Sequence, residues 1–219
     1  DFQEGSSYKE PGEVDIAFVE GTVSTEHDLK KLKEIRERSK VIIAFGNCAI
    51  DGCIQSMRND QTTLAEKLQD VYGVEPGFFD ALPSKPIREY VTVDLQIPGC
   101  PVEKTEVLKA VSSLLHGDLP QRYTYPVCVE CKINEYPCLI TEESKPCLGP
   151  IIKAGCNARC PSLGLDCIGC RGTVEGSETF AAEYKMLLDL GYTEVDIMNR
   201  LRVFSGELAA GFLGGNNNE

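Results

Sequence analysis

Eight of the eleven cysteines of this 219-residue chain lie between Cys128 and Cys170. The stretch around them, residues 120–175, is rich in proline and glycine and shows no regular period of apolar residues. We do not expect such a stretch to fold on hydrophobic burial alone, because burial by helices or strands needs a continuous apolar face. The cysteines are therefore expected to crosslink it, through bound metal or through disulfide bonds.

The spacing of these cysteines bears on the kind of crosslink. Two Cys-x-x-Cys pairs stand at the ends of the segment, and the inner cysteines are more widely spaced. Thiolates in fours select zinc or an iron–sulfur cluster, but zinc sites usually combine two close pairs. Disulfide frameworks are typical of small secreted chains without a core, whereas this chain has an odd number of cysteines. Spacing thus favours iron–sulfur clusters and leaves zinc and disulfides open.

Proximity along the chain divides the eight cysteines into two sets of four. Four thiolates are what one [4Fe–4S] cluster requires. The basic residues among them, Arg171 included, either offset cluster charge or are solvated loop charges. The first quartet is Cys128, Cys131, Cys138 and Cys147, and the second quartet is Cys156, Cys160, Cys167 and Cys170.

The first 119 residues alternate buried strands with amphipathic helices, which predicts a mostly parallel sheet. Strands are expected at residues 14–19, 41–45 and 90–97, with helices after Thr25 and at residues 62–72 and 103–115. Helical periodicity returns at residues 178–190 and 193–204. We therefore expect an α/β domain over residues 1–119, followed by a cysteine-rich domain with C-terminal helices over residues 120–219.

Three residues whose side chains can ionise or bind metal directly follow predicted strands. Glu20, Cys48 and Cys100 each stand just after one, and ligands of such sheets bind at the carboxyl ends of the strands. Glu20 is a candidate for a subunit interface or a proton route. Its alternative role is that of a helix-entry acid stabilised by the helix dipole.

Charge and hydropathy exclude two classes of partner. The formal net charge is −12, which argues against nucleic acid because phosphate binding needs a basic face. No apolar run approaches the ~18 residues that a membrane span needs. No secretion signal is visible, and the sequence begins with Asp1 instead of Met.

Several segments together resemble a known family. They run over residues 14–25 and 125–131, Gly46-Asn47-Cys48-Ala49, Gly99-Cys100-Pro101, Pro146-Cys147-Leu148-Gly149-Pro150 and residues 154–172. In these segments the chain resembles the small (delta-type) subunit of cytoplasmic [NiFe]-hydrogenases and sulfhydrogenases. The resemblance implies a flavodoxin-like first domain, which we expect to be missing its opening strand, and an irregular iron–sulfur domain.

The resemblance also implies where clusters bind. Cys48 and Cys100 match half of the proximal [4Fe–4S] site, whose other two ligands come from an N-terminal Cys-x-x-Cys with no counterpart here. We expect the native polypeptide to extend upstream with that motif, and the sheet to show a gap or free edge beside residues 14–19 or 41–46. The first quartet matches the distal cluster, and the second quartet matches the medial cluster with Cys160 as fourth ligand. Cys53 matches no required ligand and is expected to be a small buried residue.

By the same resemblance, this chain transfers electrons and carries no catalytic residue. A [NiFe] large subunit would activate hydrogen, and flavoprotein and ferredoxin-like subunits would reduce NAD(P) in the cytoplasm. Two alternatives stay open: a related complex that serves a deazaflavin or ferredoxin acceptor, and a zinc-stabilised interaction module. The one-cluster subunit of complex-I-like enzymes is disfavoured, because it lacks the extension over residues 128–170.

Overall fold

The computed structural model describes residues 12–59, 64–73, 80–174 and 177–206. Three parallel strands form one sheet in the order β1-β2-β3: β1 (Val14–Glu20), β2 (Ser39–Phe45) and β3 (Leu95–Ile97). The prediction of a parallel α/β sheet is confirmed. The third strand is shorter than predicted, and residues 90–94 are irregular. Here the Asp94 carboxylate accepts the Ile42 N–H at 2.7 Å, so a side chain satisfies a strand donor.

Helices join the strands as the apolar periodicity predicts. The first half contains α1 (Glu26–Arg38), α2 (Asn47–Asp51), a 3-10 helix (Cys53–Arg58), α3 (Leu64–Tyr72) and α4 (Lys104–Leu115). Thr25 begins α1 with a capping box, in which its side chain accepts the Asp28 N–H and Asp28 accepts the Thr25 N–H. The start predicted for α3, at residues 62–63, lies outside the described part of the chain.

The second half contains short helices around the cysteines and two longer helices after them. The short ones are α5 (Val127–Ile133), α6 (Leu139–Glu143) and α7 (Arg159–Ser162). The longer ones are α8 (Ser177–Asp189) and α9 (Glu194–Arg202), and a second capping box at Thr193 starts α9. Among the described residues, no helix is both long and apolar enough to cross a bilayer.

The cysteine-rich half has a hydrophobic core of its own. Val127, Leu148, Ile151 and Ile152 pack together with side chains of α8 and α9, and Cys147 and Cys167 belong to the same cluster. The stretch thus buries apolar side chains, which its lack of periodicity did not predict, and its crosslinking by the cysteines stays a prediction. Its apolar residues come from irregular segments, which show no period in the sequence.

Strand β1 lies at the edge of the sheet. Its inner side pairs with β2 in parallel register, with Val19 opposite Ala44. No other strand of the described residues pairs with its outer side. This agrees with the free edge expected beside residues 14–19. Phe18 is 42% exposed there and meets the Phe45 ring edge-on, with 5.8 Å between ring centroids.

Candidate iron–sulfur site

Backbone hydrogen bonds join the two cysteine turns at the carboxyl edge of the sheet. The Gly46 N–H donates to the Ile97 carbonyl at 2.9 Å, and the Asn47 N–H donates to the Gly99 carbonyl at 3.1 Å. A Cβ at position 99 would lie 2.7 Å from the Pro101 carbonyl oxygen, so only glycine fits this turn. Sequence and topology thus bring Cys48 and Cys100 to the same edge.

Cys53 joins these two cysteines, which the sequence pattern did not indicate. Its side chain is fully buried, as expected, but its thiol is hydrogen-bonded to Cys48 and also lies near Cys100. The bond lowers the pKa of Cys48 to about 7, against burial and the nearby Glu20 carboxylate. Cys53 has a φ of 48°, a conformation that costs a non-glycine residue about 1–2 kcal/mol. Only its position directly after Gly52 could have marked it in the sequence.

Two cysteines of the first quartet, Cys128 and Cys147, lie next to Gly149. Cys128 and Cys131 occupy adjacent turns of α5, Cys138 precedes α6, and Cys147 follows that helix. A Cβ on Gly149 would lie 3.3 Å from the Cys128 Sγ and 3.4 Å from the Cys147 Sγ. Burial and the neighbouring thiols of this quartet raise the pKa of Cys128 to about 12 and that of Cys131 to about 11. The four predicted residues therefore gather in one place.

The second quartet gathers beside the first. Burial raises the pKa of Cys170, with smaller contributions from the neighbouring Cys156 and Cys160. The pKa of Cys167 lies well above its ordinary value, chiefly because of burial and also because Cys147, Cys170 and Cys156 are near. Among the described residues, no three metal-binding side chains converge tightly enough to hold a single ion.

The donor set around these sulfurs is the kind that iron–sulfur clusters use. Backbone N–H groups donate to several sulfurs, for example from Cys167 to the Cys147 Sγ at 3.2 Å. Burial opposes ionisation of Cys138, but hydrogen bonds from Thr141 outweigh it and lower the pKa. Crowded, buried thiols ionise together only when cationic iron offsets their charge, and N–H donors then tune the cluster potential. Further N–H donors are Gly149 to Cys147, Ala158 and Arg159 to Cys156, and Gly169 to Cys167.

Arg171 connects the two halves of the chain. Its side chain is 1% exposed, and it donates to the Ala154 carbonyl at 2.7 Å and to the Pro98 carbonyl at 3.0 Å. It also forms an ion pair with Glu106 at 2.8 Å. The interpretation of Arg171 as a solvated loop charge is therefore wrong. Its neighbour Cys170 accepts the Cys100 N–H, so the sheet edge and the second quartet are in contact.

Two buried carboxylates near the quartets were not predicted. Glu130 lies in α5 between Cys128 and Cys131, and it is 9% exposed. Glu183, in α8, is 3% exposed, and neither of its carboxyl oxygens has a hydrogen-bond partner among the described residues. Burial raises the pKa of Glu183 to about 8. The sequence offers no cue for either, since an acid on a helix is ordinarily exposed.

Comparison with known proteins identifies the family. The profile described as "NADH ubiquinone oxidoreductase, 20 Kd subunit" matches residues 2–114. The chain belongs to this family. The match ends before Cys128, so both quartets lie outside the matched region.

Two relatives extend the similarity into the cysteine-rich half, and a third matches about half of the chain. The sulfhydrogenase 2 subunit delta of Pyrococcus furiosus is 44% identical over 172 residues, covering 78% of this chain and 71% of the relative. A subunit of the F420-non-reducing hydrogenase vhu of Methanocaldococcus jannaschii is 33% identical over 225 residues, covering 89% and 77%. The NAD-reducing hydrogenase HoxS subunit delta of Cupriavidus necator is 33% identical over 122 residues, covering 48% and 58%.

These relatives confirm two predictions from the sequence. The resemblance to small subunits of hydrogenases is confirmed, and so is the assignment of the chain as a subunit of an oxidoreductase. They also support iron–sulfur clusters as the cofactor class. The number and type of the clusters and their individual ligands remain predictions.

Proposed function

We propose that this chain is the electron-transfer subunit of a [NiFe]-hydrogenase complex and that it binds iron–sulfur clusters through its crowded thiols. The observation that carries the proposal is a continuous connection between three groups of cysteines. The Cys100 N–H donates to the Cys170 Sγ, which connects the sheet edge to the second quartet. The Cys167 N–H donates to the Cys147 Sγ, which connects the second quartet to the first.

The ligand assignment follows the same grouping. The first quartet would hold a distal [4Fe–4S] cluster and the second quartet a medial one, with Cys160 as a ligand. Cys48 and Cys100 would supply half of a proximal site. Such clusters, when bound, accept and donate single electrons. The protein positions them close together, shields them from water and tunes their potentials through charge and N–H donors.

The order of the groups along the molecule supports a direction for the relay. The sheet edge with Cys48 and Cys100 would face the subunit that activates hydrogen, because the proximal site is the first of the series in the resembling family. Glu20 ends β1 at this edge, close enough to affect the Cys48 thiol. Its exposed position suits a role at the subunit interface or on a proton route. No residue of this chain is assigned to hydrogen activation itself.

The acceptor side rests on the relatives. One of them is named an NAD-reducing hydrogenase subunit, which supports NAD as the acceptor. A flavoprotein partner, NADP as an acceptor and a cytoplasmic location are implied by the resemblance stated from the sequence. Ferredoxin-like subunits would lie between this chain and the flavoprotein. A deazaflavin or ferredoxin acceptor is the alternative. The relative named an F420-non-reducing hydrogenase subunit gives no support to a deazaflavin, but it shows that the relatives belong to hydrogenases of more than one kind.

Metal analysis of the anaerobically purified complex tests the proposal. We expect about eight irons and as many acid-labile sulfides from the two quartets, and about four more from a complete proximal site. The protein should absorb broadly near 400 nm, and the absorbance should fall on reduction. Stoichiometric zinc with negligible iron and sulfide would contradict the proposal and support the zinc-stabilised module.

A further inference from the structure

Glu130 occupies an unusual place between the two quartets. It lies in the Cys128-x-x-Cys131 turn of α5, but its carboxylate is buried against the loop that contains Cys156. Its Oε1 accepts the Gly155 N–H at 2.8 Å, and its Oε2 accepts the Ala158 N–H at 3.0 Å. Its Oε2 also lies 3.9 Å from the Cys156 Sγ. In the sequence, Glu130 therefore lies between two cysteines of the first quartet. In the structure, its carboxylate contacts the loop of the second quartet.

The loop is shaped to receive a carboxylate. Gly155, Asn157 and Ala158 all have positive φ angles, of 113°, 54° and 49°. The N–H groups of Gly155 and Ala158 converge on the Glu130 carboxylate, as in the concave anion-binding surfaces that backbone N–H groups form in turns. A left-handed alanine costs about 1–2 kcal/mol, so the two hydrogen bonds to Glu130 offset a real strain. A further hydrogen bond joins the loop to α5 at its C-terminal end, because the Asn134 amide donates to the Asn157 side chain at 3.0 Å.

The charge of Glu130 reaches the thiols of both quartets. No lysine or arginine in the described part of the chain forms an ion pair with it, and the nearby Arg171 is already paired with Glu106. The Glu130 Oε2 lies 3.9 Å from the Cys156 Sγ of the second quartet, and Cys131 of the first quartet follows Glu130 directly in α5. A fixed negative charge beside a cluster disfavours the extra electron of the reduced state and therefore lowers the reduction potential.

We propose that Glu130 is a positioning residue shared by the two quartets: its carboxylate holds the Cys156 loop in place and lowers the reduction potentials of both adjacent clusters together. This inference rests on the proposed function, since it needs clusters in both quartets. It predicts that the two potentials are coupled through one side chain, so that a single substitution moves both.

The substitution Glu130→Gln removes the charge and keeps the shape, but its amide can accept only one of the Gly155 and Ala158 N–H groups. We expect both cluster potentials to rise in redox titrations followed by electron paramagnetic resonance. A tenfold shift of each reduction equilibrium corresponds to about 59 mV for a one-electron couple. The matched control is Glu135→Gln, which removes the same charge five residues away at an exposed position. The control should leave both potentials at their wild-type values, because solvent screens its charge.

The outcomes separate this inference from the function on which it rests. Wild-type protein without iron and sulfide would contradict the proposed function. Wild-type protein with clusters, combined with potentials in E130Q that equal those in E135Q, would overturn only the role of Glu130. If E130Q loses iron, the variant Glu130→Asp separates the two explanations, because it keeps the charge. Iron retained by E130D supports the inference. Equal loss of iron in E130Q and E130D overturns the role of charge.

Discussion

Replacing Arg171 should destabilise the protein far more than breaking an exposed ion pair. Its guanidinium donates to two carbonyls and pairs with Glu106 at 2.8 Å, and the Arg171 side chain is 1% exposed. Arg171→Met keeps most of the volume but leaves the Glu106 carboxylate buried without its cation. Removing one partner of a buried pair costs about 3–5 kcal/mol. In guanidinium chloride this corresponds to a fall of roughly 1 M in the unfolding midpoint.

The chain offers a matched control in Lys40. Its Nζ lies 2.8 Å from the Asp15 Oδ1, the same distance as in the buried pair, but these side chains are 67% and 83% exposed. Lys40→Met should therefore unfold at the wild-type denaturant concentration, because exposed pairs contribute little. Anaerobic unfolding of the cluster-containing protein, followed by circular dichroism, measures both variants. Equal midpoints for R171M and K40M would refute the reasoning.

The pH dependence of R171M provides a second check. Burial raises the pKa of Glu106, and the nearby arginine cation opposes that rise. Without the cation, the carboxyl group stays protonated to higher pH in the folded state than in the unfolded state. A protonated Glu106 in the folded state costs free energy only at pH values at which the carboxyl of the unfolded state is ionised. The loss of stability in R171M should therefore be smaller at about pH 5 than at about pH 8. A penalty that grows toward acid pH would contradict this account.

Three further predictions concern the quartets. Cys160→Ala should convert the cluster of the second quartet to a [3Fe–4S] form, visible in the oxidised protein by electron paramagnetic resonance; an unchanged spectrum would mean that Cys160 is not a ligand. Gly149→Ala should lower the iron content of the first quartet alone, because its Cβ would lie 3.3 Å from the Cys128 Sγ; wild-type iron would contradict the crowding. Burial raises the pKa of Glu183 to about 8 from 4.5, so the wild type should lose stability as pH rises between these values, by up to about 1.4 kcal/mol per pH unit. Glu183→Gln should remove this loss in pH-dependent unfolding, and an unaltered pH profile would show that the carboxyl is not buried.

The sequence predicted the first half of the fold well because that half is periodic. Apolar runs predicted β1 and β2, and the pattern from Thr25 to Asp28 predicted the start of α1. The third strand is shorter than predicted. The Asp94 side chain accepts the Ile42 N–H, where a regular strand would use a backbone carbonyl. This hydrogen bond joins residues 52 positions apart, so no local sequence pattern predicts it.

Of the candidate site, the sequence predicted only the grouping of the cysteines. Cysteine spacing indicated the two quartets, but the carboxylates of Glu130 and Glu183 and the thiol of Cys53 acquire their surroundings from tertiary packing. The core of the cysteine-rich half was missed for a related reason. Its apolar residues, such as Leu148 and Ile152, lie in irregular segments that become continuous only against α8 and α9.

Under the proposed function, the contacts of Arg171 bear on electron transfer as well as on stability. Arg171 holds the Pro98 carbonyl, two residues before Cys100, while Cys170 beside it accepts the Cys100 N–H. Residues 170–171 thus fix both the contact between the two halves of the chain and the distance between the sheet edge and the second quartet. Electron-transfer rates fall steeply with distance. Arg171 is buried and makes several hydrogen bonds, so it suits the role of keeping this distance constant.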